Sequence, residues 1–308
     1  MGVCGTLYHR VALDILTSVT LPRRSSTDVF FRQAVRHFIS LLSISSEPLR
    51  SRARATALRK SAARGVRPPN EAFPPTVVLM VYRARNVPLV QMLLSQIDSR
   101  ADVRLWALDA IAPELADLTL GSGPGVRFSH LNHLYSSRPI PEGSWVILAD
   151  DDVFFVQGDL EKMIDMMKRA DLSLAQPGQS MLGWWNFFFT VSRPFLHARD
   201  ANYVEQGPLI VADPSFAKLI LPFPENEDMG WGIEAQWYRI KDKRFRIGII
   251  DSCRVIHQDR AARSYQAAPQ MRRMQERLLN SGMHSIWQLQ SVNARWWRWQ
   301  SAPSWKAR

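Results

Sequence analysis

Cysteine is scarce in this chain. Its 308 residues contain two, Cys4 and Cys253, with no CxxC spacing, which excludes a disulfide framework and a thiolate zinc site. No apolar run reaches the length of about 18 residues that a membrane-spanning helix needs. The start of the sequence also lacks the basic segment and apolar stretch of a secretory signal, so the expected location is cytoplasmic. Phosphate-binding glycine motifs are missing too. Neither GxGxxG nor GxxxxGK occurs, which removes a dinucleotide fold and a Walker-type nucleotide site, and the GSGPG cluster at 121–125 reads as a surface turn. Acidic residues are sparse at both ends. Residues 1–70 hold twelve Lys and Arg against three Asp and Glu, residues 260–308 nine against one, and residues 71–259 eighteen against twenty-four. The net charge of +11 therefore belongs to two basic ends around a mildly acidic middle, a pattern suited to anionic surfaces.

With 46% hydrophobic residues, the chain can bury a substantial core. Three segments are expected. Residues 1–70 form a basic extension, in which Phe31, Ala34, Val35, Phe38, Ile39 and Leu42 share one helical face, followed by an Arg-, Ala- and Ser-rich exposed linker. Residues 71–260 form the main domain, and 261–308 a basic, Trp-rich tail. In the main domain TVVLMVY reads as a strand, VPLVQMLLSQI as a helix, and VRLWALD, VRFSHL and WVILADDD as further strands, which gives a βαβ rhythm. Asp159 is placed to cap a helix with Leu160, Met163, Ile164 and Met167 on its apolar stripe. LSLAQP and GPLIVAD follow as strands and PSFAKLIL as a short helix. Ile233, Trp237 and Ile240 mark a helix entered through Gly230 and Gly232, and RIGIIDSCRVIHQ reads as two short strands around a turn at Asp251 and Ser252.

The most informative stretch is WVILADDDVFF at 145–155, an apolar run ending in Asp150, Asp151 and Asp152. Three adjacent carboxylates at the end of a buried strand repel one another, and a divalent cation relieves that repulsion. An oxygen-rich donor set on a short turn suits Mn2+ or Mg2+, and such ions also bind substrate phosphates. The plainer alternative is a turn in which one Asp caps the next helix. Two later features accompany the triple Asp: GWGIE at 230–234, and His257 at the end of an apolar strand.

This order of motifs resembles the GT-A class of nucleotide-sugar glycosyltransferases, in which a DxD motif ends a central strand and a later acid and a histidine complete the site. More narrowly, GWGIE followed by RIGIIDSCRVIHQ is similar to the family catalogued as domain of unknown function 707, over about residues 76–260. The resemblance implies a GT-A-like α/β fold, Rossmann-like, with a mixed sheet flanked by helices. It implies a divalent-metal-dependent, hexosyltransferase-like enzyme that moves a sugar from a nucleotide-diphosphate donor to a glycan or lipid-linked acceptor. Asp150 and Asp152 would be the first and last positions of DxD, His257 a further ligand of the metal or the diphosphate, and Asp151 a sugar contact. Glu234 lies in the first helical turn, where the helix dipole favours its ionised form, and would be the catalytic base, with Asp228 as substitute. Helix capping is the other reading of Glu234. Trp231 either stacks on a sugar or packs on the core, Glu205 is a candidate for the acceptor site, and Arg83 and Asp109 are candidates for the nucleotide. The basic N-terminal extension has no counterpart in the class.

The C-terminal segment holds five of the eleven tryptophans, Trp287, Trp296, Trp297, Trp299 and Trp305, among Arg295, Arg298 and Lys306. Aromatic rings with basic neighbours suit a peripheral seat on an anionic membrane, here the inner face, or a hydrophobic cap on the domain; nucleic acid is the least favoured partner. Two rival functions remain: a metal-dependent nucleotidyl or phosphoryl transferase, and a non-catalytic nucleic-acid-binding module.

Overall fold

The computed structural model describes residues 47–63, 73–97, 99–224, 229–241, 244–258 and 267–304. The amphipathic segment around 31–42, Asp228, Trp305 and Lys306 lie outside them. In chain order the helices and strands are α1 (Glu47–Ala62), β1 (Thr76–Tyr82), α2 (Val87–Ser95), β2 (Asp102–Ala107), β3 (Thr119–Ser122), α3 (Arg127–Ser136), β4 (Trp145–Asp150), β5 (Val153–Gln157), α4 (Leu160–Ala170), β6 (Leu174–Gln179), β7 (Leu196–Ala201), β8 (Leu209–Ala212), α5 (Pro214–Ile220), α6 (Ile233–Ile240), β9 (Ile247–His257), α7 (Ala267–Asn280) and β10 (Val292–Trp297).

The strands form one mixed sheet in the order β10-β7-β9-β6-β8-β4-β1-β2-β3, with β5 paired to β9 off this path. β1 runs parallel to β2 and β4, while β8 lies antiparallel to β4. Helices cover both faces. Val78, Met80 and Tyr82 of β1 pack with α2 and α4 on one side, and Val77, Leu79 and Val81 pack with α3, α5 and α6 on the other. A strand covered on both faces needs no polar alternation, and every residue of TVVLMVY is buried. The expected mixed α/β sheet flanked by helices is thus present, and the Asp159 cap accepts a hydrogen bond from the Lys162 N–H at 2.9 Å.

Four local expectations are corrected. VRFSHL is not a strand but the start of α3, because Phe128, Leu131 and Leu134 recur at helical spacing and all three are buried. The Arg- and Ala-rich stretch is not an exposed linker. Arg, Ala, Leu and Lys are good helix formers, and α1 buries Arg54 and Ser61, whose Oγ donates to the Phe155 carbonyl at 2.7 Å. Asp251 and Ser252 make no turn. They lie inside the continuous β9, where the Asp251 carboxylate takes the buried Arg199 guanidinium at 2.8 Å, and the irregularity falls in the pairing with β6, which jumps from Pro177↔Ile250 to Gly178↔Arg254. The C-terminal segment is not simply a tail, since β10 pairs antiparallel with β7 at the sheet edge and Trp296 is wholly buried.

Candidate metal centre

Strand pairing brings distant residues together at one edge of the sheet. Val81 of β1 is level with Asp150 of β4, and Tyr82 with Ala107 of β2, so Arg83, Asp109 and the triple Asp all emerge beyond the carboxyl ends of parallel strands. Arg83 donates its backbone N–H to Asp151 Oδ2 at 2.8 Å, and its guanidinium lies 3.8 Å from Oδ1. Asp109 Oδ1 accepts from the N–H groups of Ala84 (2.9 Å) and Ala110 (2.8 Å). Burial is the largest single influence and pushes the Asp109 carboxyl up, but the backbone N–H groups of Ala84, Ala110 and Asp109 together with Arg83 outweigh it and hold it below the usual carboxylate range. Asp109 therefore ties the loop after β1 to the end of β2.

The pairing of β5 with β9 supplies the histidine. Val153 is level with His257, and the Gln258 N–H donates to the Asp152 carbonyl at 2.8 Å, so the two strands set Asp152 beside the imidazole. His257 Nε2 lies 3.1 Å from Asp152 Oδ1. Gly183 backs this contact, for a Cβ there would meet the His257 backbone N and O at 2.9 and 3.0 Å, and the next residue, Trp184, donates its N–H to the His257 carbonyl. Donor atoms of Asp150, Asp152 and His257 all lie within 4.8 Å of one another.

The electrostatics of the cluster fit a divalent cation. Burial pushes the Asp150 carboxyl above its ordinary value against the pull of Arg127, and burial with the neighbouring Asp152 raises Asp151 to about 6. Burial disfavours a charged imidazole, yet Asp152, Asp150 and Glu205 outweigh it and hold His257 up at about 9. The carboxylates thus demand positive charge where they converge, and two carboxylate oxygens with one imidazole nitrogen are a donor set that can meet that demand with a metal.

From this cluster a chain of polar contacts leads away. Arg127, at the start of α3, donates Nε to Asp150 Oδ1 at 2.9 Å and Nη1 to Gln206 Oε1. The Gln206 N–H in turn reaches Glu234 Oε1 at 3.3 Å. Glu234 is buried, and its second oxygen has no hydrogen-bond partner. Its position in the first turn of α6 suggested an ionised carboxylate, but burial outweighs the N–H groups of Glu234, Gln206 and Gly232 and raises it to about 7. Glu205, also buried, is raised to about 7 by burial although Asn186 (2.6 Å) and Gln179 (2.8 Å) donate to its two oxygens. Trp231 is half-buried, and its carbonyl accepts from Arg277 at 2.7 Å.

The structure therefore gathers Asp150, Asp152 and His257 in one cluster, with Asp151 and Arg83 beside it and Asp109 on the adjoining loop. Among the described residues, Glu234 is joined to it by hydrogen bonds through Gln206 and Arg127. The sequence reading missed Arg127, Gln206, Asn186 and Gln179. Arg127 was hidden by reading its segment as a strand, and the neutral amides carry no motif of their own.

Comparison with solved structures returns glycosyltransferases. One is GalNAc-T7 with UDP, GalNAc and Mn2+, at 8% identity and a TM-score of 0.45, covering 64% of this chain but only 46% of that one. Another is S. aureus TarS 1–349 in complex with UDP-GlcNAc, at 12% identity and 0.46, covering 67% of each chain. The mannosyltransferase PcManGT from Pyrobaculum calidifontis in complex with GDP-Man and Mn2+ matches at 11% identity and 0.42, covering 79% of this chain and 74% of that one. Likenesses this shallow add nothing to the residues of the site. No protein-family model matches the chain, and neither does any curated protein. The likeness to the family catalogued as domain of unknown function 707 thus has no family-model match behind it.

Proposed function

We propose that the chain is a GT-A-like, divalent-metal-dependent glycosyltransferase that moves a sugar from a nucleotide-diphosphate donor to a glycan or lipid-linked acceptor. The observation that carries this reading is the separation of two functions: Asp150, Asp152 and His257 converge at the strand ends, while Glu234, with one oxygen unpartnered, stands apart at the end of a hydrogen-bonded chain. A divalent cation held by the cluster would neutralise the departing diphosphate, and the imidazole ligand suits Mn2+ better than Mg2+. Arg127 and Arg83 would add positive charge on the donor side, and Asp109 and Arg83, near the strand ends, would take the ribose and the base. Asp151 would contact the sugar.

On the acceptor side, Glu234 Oε2 takes the proton of the attacking hydroxyl as the new C–O bond forms and the bond to the diphosphate oxygen breaks. A carboxyl near pKa 7 accepts that proton without being too weak a base. Asp228 would be its substitute, Trp231 a sugar platform and Glu205 a second acceptor contact. The basic ends and exposed tryptophans would hold the enzyme against an anionic membrane surface.

The reading is tested by incubating the full chain with UDP- and GDP-sugars and Mn2+ and identifying the nucleotide released. Nucleoside diphosphate, formed by wild type and lost in Asp152→Asn, is the expected product. Release of pyrophosphate or a monophosphate would instead identify a nucleotidyl or phosphoryl transferase.

A further inference from the structure

We infer that a cavity between α1 and the turn at 180–182 binds a small hydroxylated anion, such as a sugar bearing a phosphate or a carboxylate. The cavity has a volume of about 370 Å³ and is lined by Lys60, Arg254, Gln179, Ser180 and Ser192 with apolar Met181 among others; no acidic residue lines it among the described residues. Arg254 projects from β9, level with Gln157 of β5. Its Nε is buried without a hydrogen-bond partner, and neither Arg254 nor Lys60 makes an ion pair among the described residues.

Two wholly buried arginines of the fold are treated differently. Arg104 is bound by Asp102 at 2.6 Å and by the carbonyls of Leu134, Tyr135, Arg138 and Pro139. Arg199 is bound by Asp251 at 2.8 Å and by the carbonyls of Phe189 and Val191. A guanidinium has five N–H donors and is costly to take out of water unpaired, so a partly buried one beside a lysine and facing no acid is suited to an incoming oxyanion.

A second unpartnered atom narrows the ligand. Gln179 is buried, donates Nε2 to Glu205 at 2.8 Å, and leaves its Oε1 without a donor. An anion carrying a hydroxyl group would satisfy both orphans, the oxyanion at Arg254 and Lys60 and the hydroxyl at Gln179. Ser180 Oγ accepts from the Leu182 N–H and keeps its own proton for donation. Arg54 Nη1 fixes the turn to α1 through the Leu182 carbonyl at 2.9 Å, so the wall opposite β9 is built rather than loose. None of the groups that would bind the anion belongs to the Asp150 cluster, and occupancy requires no metal.

The test is calorimetric titration of the full chain, without divalent metal and at low salt, with glucose 6-phosphate, glucuronate and neutral glucose. At least one anion should bind saturably and glucose should not, the two anions separating phosphate from carboxylate recognition. Lys60→Gln/Arg254→Gln should weaken that binding at least tenfold, Lys60→Gln alone should weaken it less, and Lys218→Gln on α5 should leave it unchanged. Removing an unpaired charge is expected to leave the melting temperature of Arg254→Gln at or above that of wild type, which separates lost binding from lost folding. Asp152→Asn should bind the anion as wild type does, so this site and the transferase reading fail independently. Equal affinity in the double variant and wild type, or no binding of either anion, would overturn the inference.

Discussion

Glu234 shows how burial can override local sequence logic. A carboxylate in a first helical turn is ordinarily stabilised in its charged form, yet burial raises this one from 4.5 to about 7. Because the folded-state value lies above the unfolded one, its favourable contribution to stability is fully present below pH 4.5 and is lost as the pH rises through about 7. Glu234→Gln should therefore be more stable than wild type at pH 8, on the order of a few kcal/mol, with the difference shrinking towards acid in urea titrations. Its activity should move the other way. A base works deprotonated, so wild-type kcat is expected to climb as the pH passes about 7, while Glu234→Gln should lose on the order of 100-fold and show no such climb. A variant keeping wild-type kcat and pH profile would remove Glu234 from the reaction. At this scale the sequence was readable where like charges adjoin, as in the triple Asp, and unreadable at Arg127 and Gln206, whose roles depend on neighbours brought in by the fold.

Among the elements, the β5–β9 pair decides whether a metal centre exists. The run VFF after the triple Asp is a strand of its own, and its register with β9 is what places Asp152 against His257. No residue spacing in the chain reveals that pairing, because the partners are a hundred residues apart and β5 leaves the main path of the sheet. The helices with long apolar stripes, α4 and α6, were legible from periodicity. α3 was not, since VRFSHL opens with apolar Val126 and Phe128 two residues apart, and the helical spacing shows only once Leu131 and Leu134 are included. The His257 backbone is held by the turn carrying Gly183, so Gly183→Ala should push against main chain rather than a yielding side chain. A loss of about 1–3 kcal/mol in stability is expected, with weaker Mn2+ binding in calorimetry. Unchanged metal affinity would mean that the turn does not set the imidazole.

Across the whole molecule, the charge asymmetry is visible in the sequence, whereas the seating of its aromatic end is not. Composition alone could not separate a lipid-facing tryptophan from a packed one, because both are large, amphipathic and flanked by arginine. The sheet separates them: Trp296 is wholly buried on β10, while Trp299 is 70% exposed and stacks on Trp297 at 4.7 Å. Trp296→Ala should cost about 3–5 kcal/mol in urea unfolding. Trp299→Ala should change stability by no more than about 0.5 kcal/mol, yet reduce retention on phosphatidylserine vesicles if the basic, aromatic end meets a membrane. The central claim, that the strand-end cluster holds a divalent metal which recruits a nucleotide diphosphate, is tested most directly by thermal shift with UDP and GDP, each with and without Mn2+, on wild type and Asp152→Asn. Stabilisation of wild type that requires both metal and nucleotide, and that Asp152→Asn loses, is the predicted result. Equal response in the two proteins, or no response to any nucleotide with Mn2+, would contradict it.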